Sequence, residues 1–142
     1  YRYTHKPEYW EQACRIYDFI FTNKHLASDL IPYWDYDALN IPNEPRDVSA
    51  AAITAAALYE LSMYLPNPRY KKTADKILAS LSTPAYRAKV GENGNFILMH
   101  SVGSIPHNAE VDVPLNYADY YFLEALSRKR EMEKQVVCKK VL

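Results

Sequence analysis

The segment RDVSAAAITAAALYELSMYL (46–65) limits the possible folds more than any other part of the chain. Alanine is the strongest helix former and dominates its first half, so the segment is predicted to be a helix that either Asp47 or Ser49 caps. Small side chains lie on several of its faces, which lets neighbouring helices approach closely. We therefore expect a mainly helical fold in which this helix is the most buried.

Three other segments are predicted to be helices. Residues 7–23 place apolar side chains at the i, i+3, i+4 and i+7 spacing of an amphipathic helix. A helix that begins at Pro68, with Asn67 as its N-cap, should end before Pro84. The last helix is expected over residues 115–130, and its tail, KREMEKQVVCKKVL, should fray or end as a surface helix.

The composition agrees with a helical domain. The chain has 142 residues, enough for one domain, and it contains thirteen tyrosines but only three glycines. Few glycines mean few tight turns, which disfavours an all-β sandwich, and buried tyrosines need hydrogen-bond partners. The 17 basic and 17 acidic residues cancel, and no apolar run approaches the about 20 residues needed to cross a bilayer. Neither nucleic acid nor a membrane is therefore expected as a partner.

The two cysteines indicate neither a disulfide nor a metal framework. Cys14 and Cys138 lie far apart in sequence and form no CxxC motif. His100 also has no carboxylate or histidine partner at metal-ligand spacing. No metal or cofactor is therefore expected, and the cellular compartment stays open.

The loops between the predicted helices alternate between long and short. A long loop precedes residue 46, a short turn lies near residue 66, and a second long loop covers 84–114, where FILMH (96–100) is predicted to be a strand or an extended segment. This alternation is typical of helical hairpins whose functional loops gather on one face. The stretch IPYWDYDALNIPNEPRD (31–47) is too rich in aromatics to be disordered, so we expect it to be functional.

Two segments of the chain resemble the unsaturated glucuronyl hydrolases: IPYWDYDALNIPNEPRDVSAAAI (31–53) and LMHSVGSIPHNAEVDVPLNYADYYFLEAL (98–126). The helix PEYWEQACRIYDFI (7–20) is also similar to one in those enzymes. The family removes a 4,5-unsaturated uronic acid from oligosaccharides that polysaccharide lyases produce. The resemblance implies an all-α fold, in which residues 1–142 form the C-terminal part of a single (α/α)6 barrel domain with long loops on one face. It also implies a bacterial protein, either periplasmic or cytoplasmic.

The activity that the resemblance implies is the hydration of a vinyl ether. An acid protonates C4 of the double bond, water adds at C5, and the resulting hemiketal opens and releases the sugar. In the family a pair of aspartates serves this step from segments N-terminal to this chain, so the acid pair is expected upstream of residue 1 and the chain alone should be inactive. An unsaturated rhamnogalacturonyl hydrolase of the same fold and a non-catalytic helical carbohydrate-binding module are the alternatives. Exposed helix faces should also allow self-association.

Candidate residues for binding an unsaturated uronic-acid oligosaccharide lie in both long loops. Trp34, with Tyr33 and Tyr36, forms either a wall on which a sugar stacks or a set of aromatics that pins the loop. Arg46 either donates both branches of its guanidinium to the substrate carboxylate, or Arg46 and Asp47 fix the loop to the following helix as an ion pair and an N-cap.

In the second loop the candidates are His100, Ser101 and Ser104. The resemblance places HSVGS at the border of the site for the uronate carboxylate, where both serines can donate hydrogen bonds and Gly103 lets the backbone approach a ligand. Family members that act on sulfated chondroitin-type products often have a lysine two residues after the second serine, where this chain has Pro106. The sequence therefore argues against a sulfate preference of that kind.

Four carboxylates near these loops are not assigned a catalytic role. Asp35 and Asp37 are expected to form turns. Asp112 is expected to cap the last helix, and Asp119 to reach an inner loop from the first or second turn of that helix.

Overall fold

The computed structural model describes residues 1–141, with side chains described for residues 1–135. Four helices account for most of the chain: α1 (Pro7–Phe21), α2 (Val48–Tyr64), α3 (Pro68–Leu81) and α4 (Asn116–Val141). A short 3-10 turn (Asn93–Asn95) and an antiparallel hairpin of β1 (Ser101–Ser104) and β2 (Ala109–Val113) lie between α3 and α4. The mainly helical prediction is confirmed. The helix α4 continues beyond the predicted end at residue 130, and the side chain of Cys138 lies outside the described part.

Helix α2 is the centre of the fold and packs against both α3 and α4. Nine of its seventeen residues are buried, whereas α1 has no buried residue. Ala52 and Ala55 are fully buried, and their small side chains let the adjacent helices approach closely. The expectation that this is the most buried helix is confirmed for the residues described.

The helix starts follow the predicted capping. The Asp47 carboxylate accepts from the backbone N–H of Ser49 at 3.0 Å and of Ala50 at 3.4 Å, so Asp47 and not Ser49 caps α2. The side chain of Asn67 accepts from the N–H of Arg69 at 3.1 Å. Pro68 then occupies the first turn of α3, where its missing N–H is not needed.

Helix α1 lies against α3 through polar contacts of aromatic side chains. The hydroxyl of Tyr17 is 2.9 Å from Thr73 Oγ1, and that of Tyr70 is 3.1 Å from Cys14 Sγ. The Arg69 guanidinium lies 4.8 Å from the ring centroids of both tyrosines. Buried tyrosine hydroxyls therefore find partners, as expected.

A single carboxylate joins α2, α3 and α4. Asp75 accepts from the hydroxyl of Tyr59 at 2.7 Å, from Lys71 at 2.6 Å and from Lys129 at 2.7 Å. Burial alone raises the pKa of Asp75, but hydrogen bonds from Lys129, Lys71 and Tyr59 outweigh it and lower the pKa to about 2. Asp75 is therefore ionised over the ordinary pH range and links the three helices.

Both long loops meet at the end of the bundle where α2 and α4 begin. The N–H of Val48 donates to the carbonyl of His100 at 3.1 Å, and the N–H of Val102 donates to Asp47 Oδ1 at 3.4 Å. The carboxylate of Asp119 reaches the second loop, as predicted, and accepts from the N–H groups of Ile97 and Leu98 at 2.8 and 2.9 Å. The predicted gathering of long loops on one face is confirmed.

Of two local predictions, one agrees with the structure and one is wrong. FILMH (96–100) lies in neither strand, but Leu98 forms an isolated bridge with Arg87, which agrees with the predicted extended segment, and the hairpin follows it. Asp112 does not cap α4, because it lies within β2 and its carboxylate faces His100. Among the described residues, no helix is both long and apolar enough to cross a membrane.

Candidate functional site at the joined loops

The loop that contains Trp34 is closed by a short main-chain ladder. The N–H of Trp34 donates to the carbonyl of Pro45 at 3.0 Å, and the N–H of Asp47 donates to the carbonyl of Pro32 at 2.9 Å. Residues 34–44 therefore project as a lobe from the start of α2, and we call this segment the Trp34 lobe.

The three aromatics of this loop have different environments. Tyr33 is buried, with 7% of its surface exposed, and its ring lies 4.4 Å beneath the Arg46 guanidinium. Tyr36 is half-buried and packs edge-on against Phe19. Trp34 is half-buried, and its indole N–H donates to Glu44 Oε2 at 2.9 Å. Tyr33 is therefore a pinning residue, while Trp34 keeps exposed surface on the lobe.

The Arg46 guanidinium is held by groups of its own loop. Its two terminal nitrogens lie 3.4 Å from the two carboxylate oxygens of Asp29, and one of them also donates to the carbonyl of Ile31. With Tyr33 beneath it, Arg46 has few donors free for a substrate carboxylate. The expectation that Arg46 fixes the loop agrees with this geometry, but its ionic partner is Asp29 and not the expected Asp47, which caps α2 instead.

Asp29 is an organising residue that the sequence analysis missed. Besides Arg46, its carboxylate accepts from the hydroxyl of Tyr86 at 2.6 Å, and its carbonyl accepts from Ser80 Oγ at 2.7 Å. Burial and this hydrogen bond to Asp29 raise the pKa of Tyr86 to about 12. No local pattern marks Asp29, because its partners lie up to 57 residues away in sequence.

The hairpin brings polar side chains to the same end of the bundle. His100 Nδ1 lies 2.7 Å from Asp112 Oδ1, with 44% and 56% of the two side chains exposed. Ser104 Oγ lies 2.7 Å from His107 Nδ1. His100 and Asp112 both have left-handed backbones, with φ of 66° and 56°, a conformation that is unfavourable for residues other than glycine and is often found at binding sites.

Ser101 and Gly103 are less accessible than the sequence suggests. Ser101 is fully buried, and its Oγ has no hydrogen-bond partner among the described residues. A Cβ at Gly103 would lie 2.8 Å from Cβ of Glu110 on the opposite strand, so glycine at this position makes room for that side chain. The side chain of Glu110 occupies the space beside Gly103.

The structure therefore unites the two sets of candidates. Trp34, Arg46 and Asp47 lie in one loop, His100, Ser101 and Ser104 lie in the other, and the contacts of Asp47 and Val48 with the hairpin join them. Within residues 1–135, no group of three or more His, Cys, Asp or Glu side chains is placed to hold a metal ion.

Curated proteins of similar sequence are hydrolases of unsaturated saccharides. An unsaturated glucuronyl hydrolase from Formosa agariphila is 46% identical over 132 residues, which are 93% of this chain and 33% of that protein. An unsaturated chondroitin disaccharide hydrolase from Streptococcus agalactiae is 34% identical over 113 residues, 76% of this chain and 28% of that protein. The chain thus spans about a third of the length of the curated relatives it matches. No family model matches it.

Solved structures give the same result. An unsaturated glucuronyl hydrolase specific for heparin superposes with a TM-score of 0.90 at 48% identity, covering 92% of this chain and 36% of that one. A variant of the Streptococcus agalactiae enzyme complexed with dGlcA-GalNAc6S superposes with a TM-score of 0.72 at 30% identity, covering 84% and 33%. The predicted fold is confirmed: these helices superpose on part of the six-hairpin fold of those structures.

Proposed function

We propose, from the premise that this chain belongs to the unsaturated glucuronyl hydrolase family, that it forms one side of the substrate cleft of such an enzyme. The enzyme would remove a 4,5-unsaturated uronic acid from a lyase-generated oligosaccharide. The observation that carries the proposal is the union of the two candidate loops at one end of the bundle, through Val48 with His100 and Asp47 with Val102. Residues 1–142 would be the C-terminal part of the (α/α)6 barrel domain.

The chemistry of the proposed reaction is acid-initiated hydration. Protonation of C4 leaves positive charge at C5, water adds there, and the hemiketal opens with loss of the remaining sugar. Three carboxylates near the joined loops are committed to structure: Asp47 to a helix start, Asp29 to Arg46 and Asp119 to backbone N–H groups. These roles support the expectation that the catalytic acid pair lies in sequence preceding residue 1.

The roles of individual residues follow from their exposure. Trp34 would present its ring to the apolar face of a sugar, and His100 and Ser104 would hydrogen-bond to its hydroxyl or carboxylate groups. Ser101 is the exception, because it is fully buried: its Oγ would bind a ligand or a water only where one reaches the interior of the hairpin. Arg46 and Asp47 would hold the loops in place.

The experiment that tests this proposal follows the loss of ultraviolet absorbance from an unsaturated glucuronyl disaccharide. It is run with this chain alone and with the full-length gene product. We expect the full-length gene product to be active and this chain by itself to be inactive. An unsaturated rhamnogalacturonyl disaccharide in parallel tests the related activity. If neither substrate is consumed but the longer protein binds the oligosaccharide, the non-catalytic carbohydrate-binding module replaces the proposal. If this chain alone is active, its own carboxylates must include the acid.

A further inference from the structure

We propose that Glu44 is a positioning residue that holds Trp34 as a stacking surface for an uncharged sugar ring. The inference rests on the proposed function, because it assumes that Trp34 faces the substrate. It adds a residue that the sequence analysis did not single out and a chemical class for the sugar at this position.

The first observation is the hydrogen bond that fixes the indole. The indole N–H is the only hydrogen-bond donor of a tryptophan side chain, and here it donates to Glu44 Oε2 at 2.9 Å. The backbone N–H of Trp34 is bound at the same time to the carbonyl of Pro45 at 3.0 Å. Main chain and ring edge are thus both anchored to neighbouring residues, which restricts the orientation of the ring.

The second observation is that Glu44 is itself held. Its other oxygen, Oε1, accepts from the backbone N–H of Asn40 at 3.2 Å, and the carbonyl of Asn40 accepts from the N–H of Asn43 at 2.6 Å. The carboxylate therefore bridges the two sides of the Trp34 lobe. A ring held in this way loses less conformational freedom when a sugar stacks on it.

The third observation concerns charge. The Trp34 lobe contains Asp35, Asp37 and Glu44 but no lysine or arginine. In the part of the chain whose side chains are described, none of these carboxylates forms a salt bridge. A sulfate or carboxylate beside Trp34 would meet like charge, so the geometry and charge favour a neutral pyranose there.

The experiment uses the full-length gene product and measures kcat and KM on unsaturated disaccharides whose second sugar is either neutral or sulfated. With the neutral substrate, Glu44→Ala should raise KM about tenfold and change kcat much less, because the stacking surface is no longer preorganised. Glu44→Gln retains an acceptor for the indole and should recover most of the loss. It should also raise the relative kcat/KM for the sulfated substrate two- to threefold, since it removes a charge. Leu39→Ala is the matched control, since this side chain is almost fully exposed on the same lobe.

Trp34→Phe and Trp34→Ala separate the two proposals. Trp34→Phe removes the indole N–H and leaves Glu44 intact, so its KM should rise as much as that of Glu44→Ala. It tests the same hydrogen bond independently, in case Glu44→Ala folds poorly. If Trp34→Ala raises KM but Glu44→Ala and Trp34→Phe do not, Glu44 is not a positioning residue, while the proposed cleft stands. If Trp34→Ala has no effect, the role of Trp34 in the proposed function fails. A Glu44→Gln variant as impaired as Glu44→Ala would also overturn the inference.

A readout without substrate tests the positioning directly. The chain contains two tryptophans, so Trp10→Phe leaves Trp34 as the only indole fluorophore. Adding Glu44→Ala to that background should lower the fluorescence anisotropy of Trp34 and increase its quenching by acrylamide. Unchanged anisotropy and quenching would show that Glu44 does not hold the ring.

Discussion

The carboxylate of Asp29 faces the guanidinium of Arg46, with each terminal nitrogen 3.4 Å from one carboxylate oxygen. The two residues are separated by 17 positions in sequence, and they close the base of the loop that contains Trp34. The pair is partly buried and also contacts Tyr33 and Tyr86. Its main consequence is that most hydrogen-bond donors of Arg46 are occupied by groups of its own loop.

We expect Arg46→Lys to destabilise the chain by about 1–3 kcal/mol, because an ammonium cannot replace the forked contacts to Asp29 and Ile31. The measurement is thermal unfolding followed by circular dichroism at matched protein concentration. Arg87→Lys is the control, since Arg87 is exposed and forms no side-chain hydrogen bond among the described residues. Equal melting temperatures for the two variants would contradict the assigned role.

The ion cluster at Asp75 predicts a loss of stability in acid. Because the pKa of Asp75 is lowered to about 2 in the folded chain, its contribution is present above the ordinary carboxyl pKa near 4 and is lost as pH falls toward 2. After discounting for solvent exposure, we expect about 1 kcal/mol. Urea unfolding between pH 6 and pH 2 should show a shallower acid slope for Asp75→Asn than for the unchanged chain. Parallel slopes would show that Asp75 does not cause the loss of stability in acid.

The pair of His100 and Asp112 predicts an effect on substrate binding. Asp112→Asn keeps an acceptor and tolerates the left-handed backbone, but it loses the charge that strengthens the bond to the imidazole. We expect KM of the full-length gene product to rise about three- to tenfold, with a smaller change in kcat. Glu11→Gln also removes one carboxylate charge, at an exposed side chain of α1 that has no hydrogen bond among the described residues. If both variants behave alike, the orientation of His100 is not important for binding.

Exposed apolar side chains predict that the chain alone associates. Phe19 on α1 and Tyr120 on α4 are 66% and 60% exposed, and a cavity of about 570 Å³ between α1, α2 and α4 is lined by Tyr9, Trp10 and Ile53. Large exposed apolar surfaces are usually covered by another part of the protein or by a partner. Sedimentation velocity over a concentration series should show species larger than a monomer. A monodisperse monomer that melts cooperatively would count against this expectation.

The local features of the fold could be predicted from the sequence. Apolar periodicity and capping residues such as Asp47 and Asn67 depend only on residues a few positions apart, so they can be recognised in the sequence. The hairpin was missed because its strands contain Glu110 and Asp112 with left-handed backbones, where glycine would be the usual signal. Asp112 is predicted to cap a helix because the sequence does not show the strand pairing that brings it opposite His100.

The candidate site could be predicted in part. Trp34 and His100 are predicted as candidates because aromatic and imidazole groups in long loops are conspicuous, whereas nothing in the sequence singles out Asp29 and Glu44. Their importance arises from partners that the fold brings close: Arg46 and Tyr86 for Asp29, and the Trp34 indole for Glu44. Such contacts have no fixed spacing, so the composition of the loop does not reveal which carboxylates organise it.

One oxygen of Asp47 accepts from the start of α2 and from the N–H of Val102 in the hairpin. Separating the hairpin from α2 therefore also removes part of the support for the first helical turn. The start of α2 and the beginning of β1 should open as one cooperative unit, with similar protection of their amide hydrogens from exchange with solvent. Any rearrangement that admits a ligand at this end of the bundle would involve both loops together.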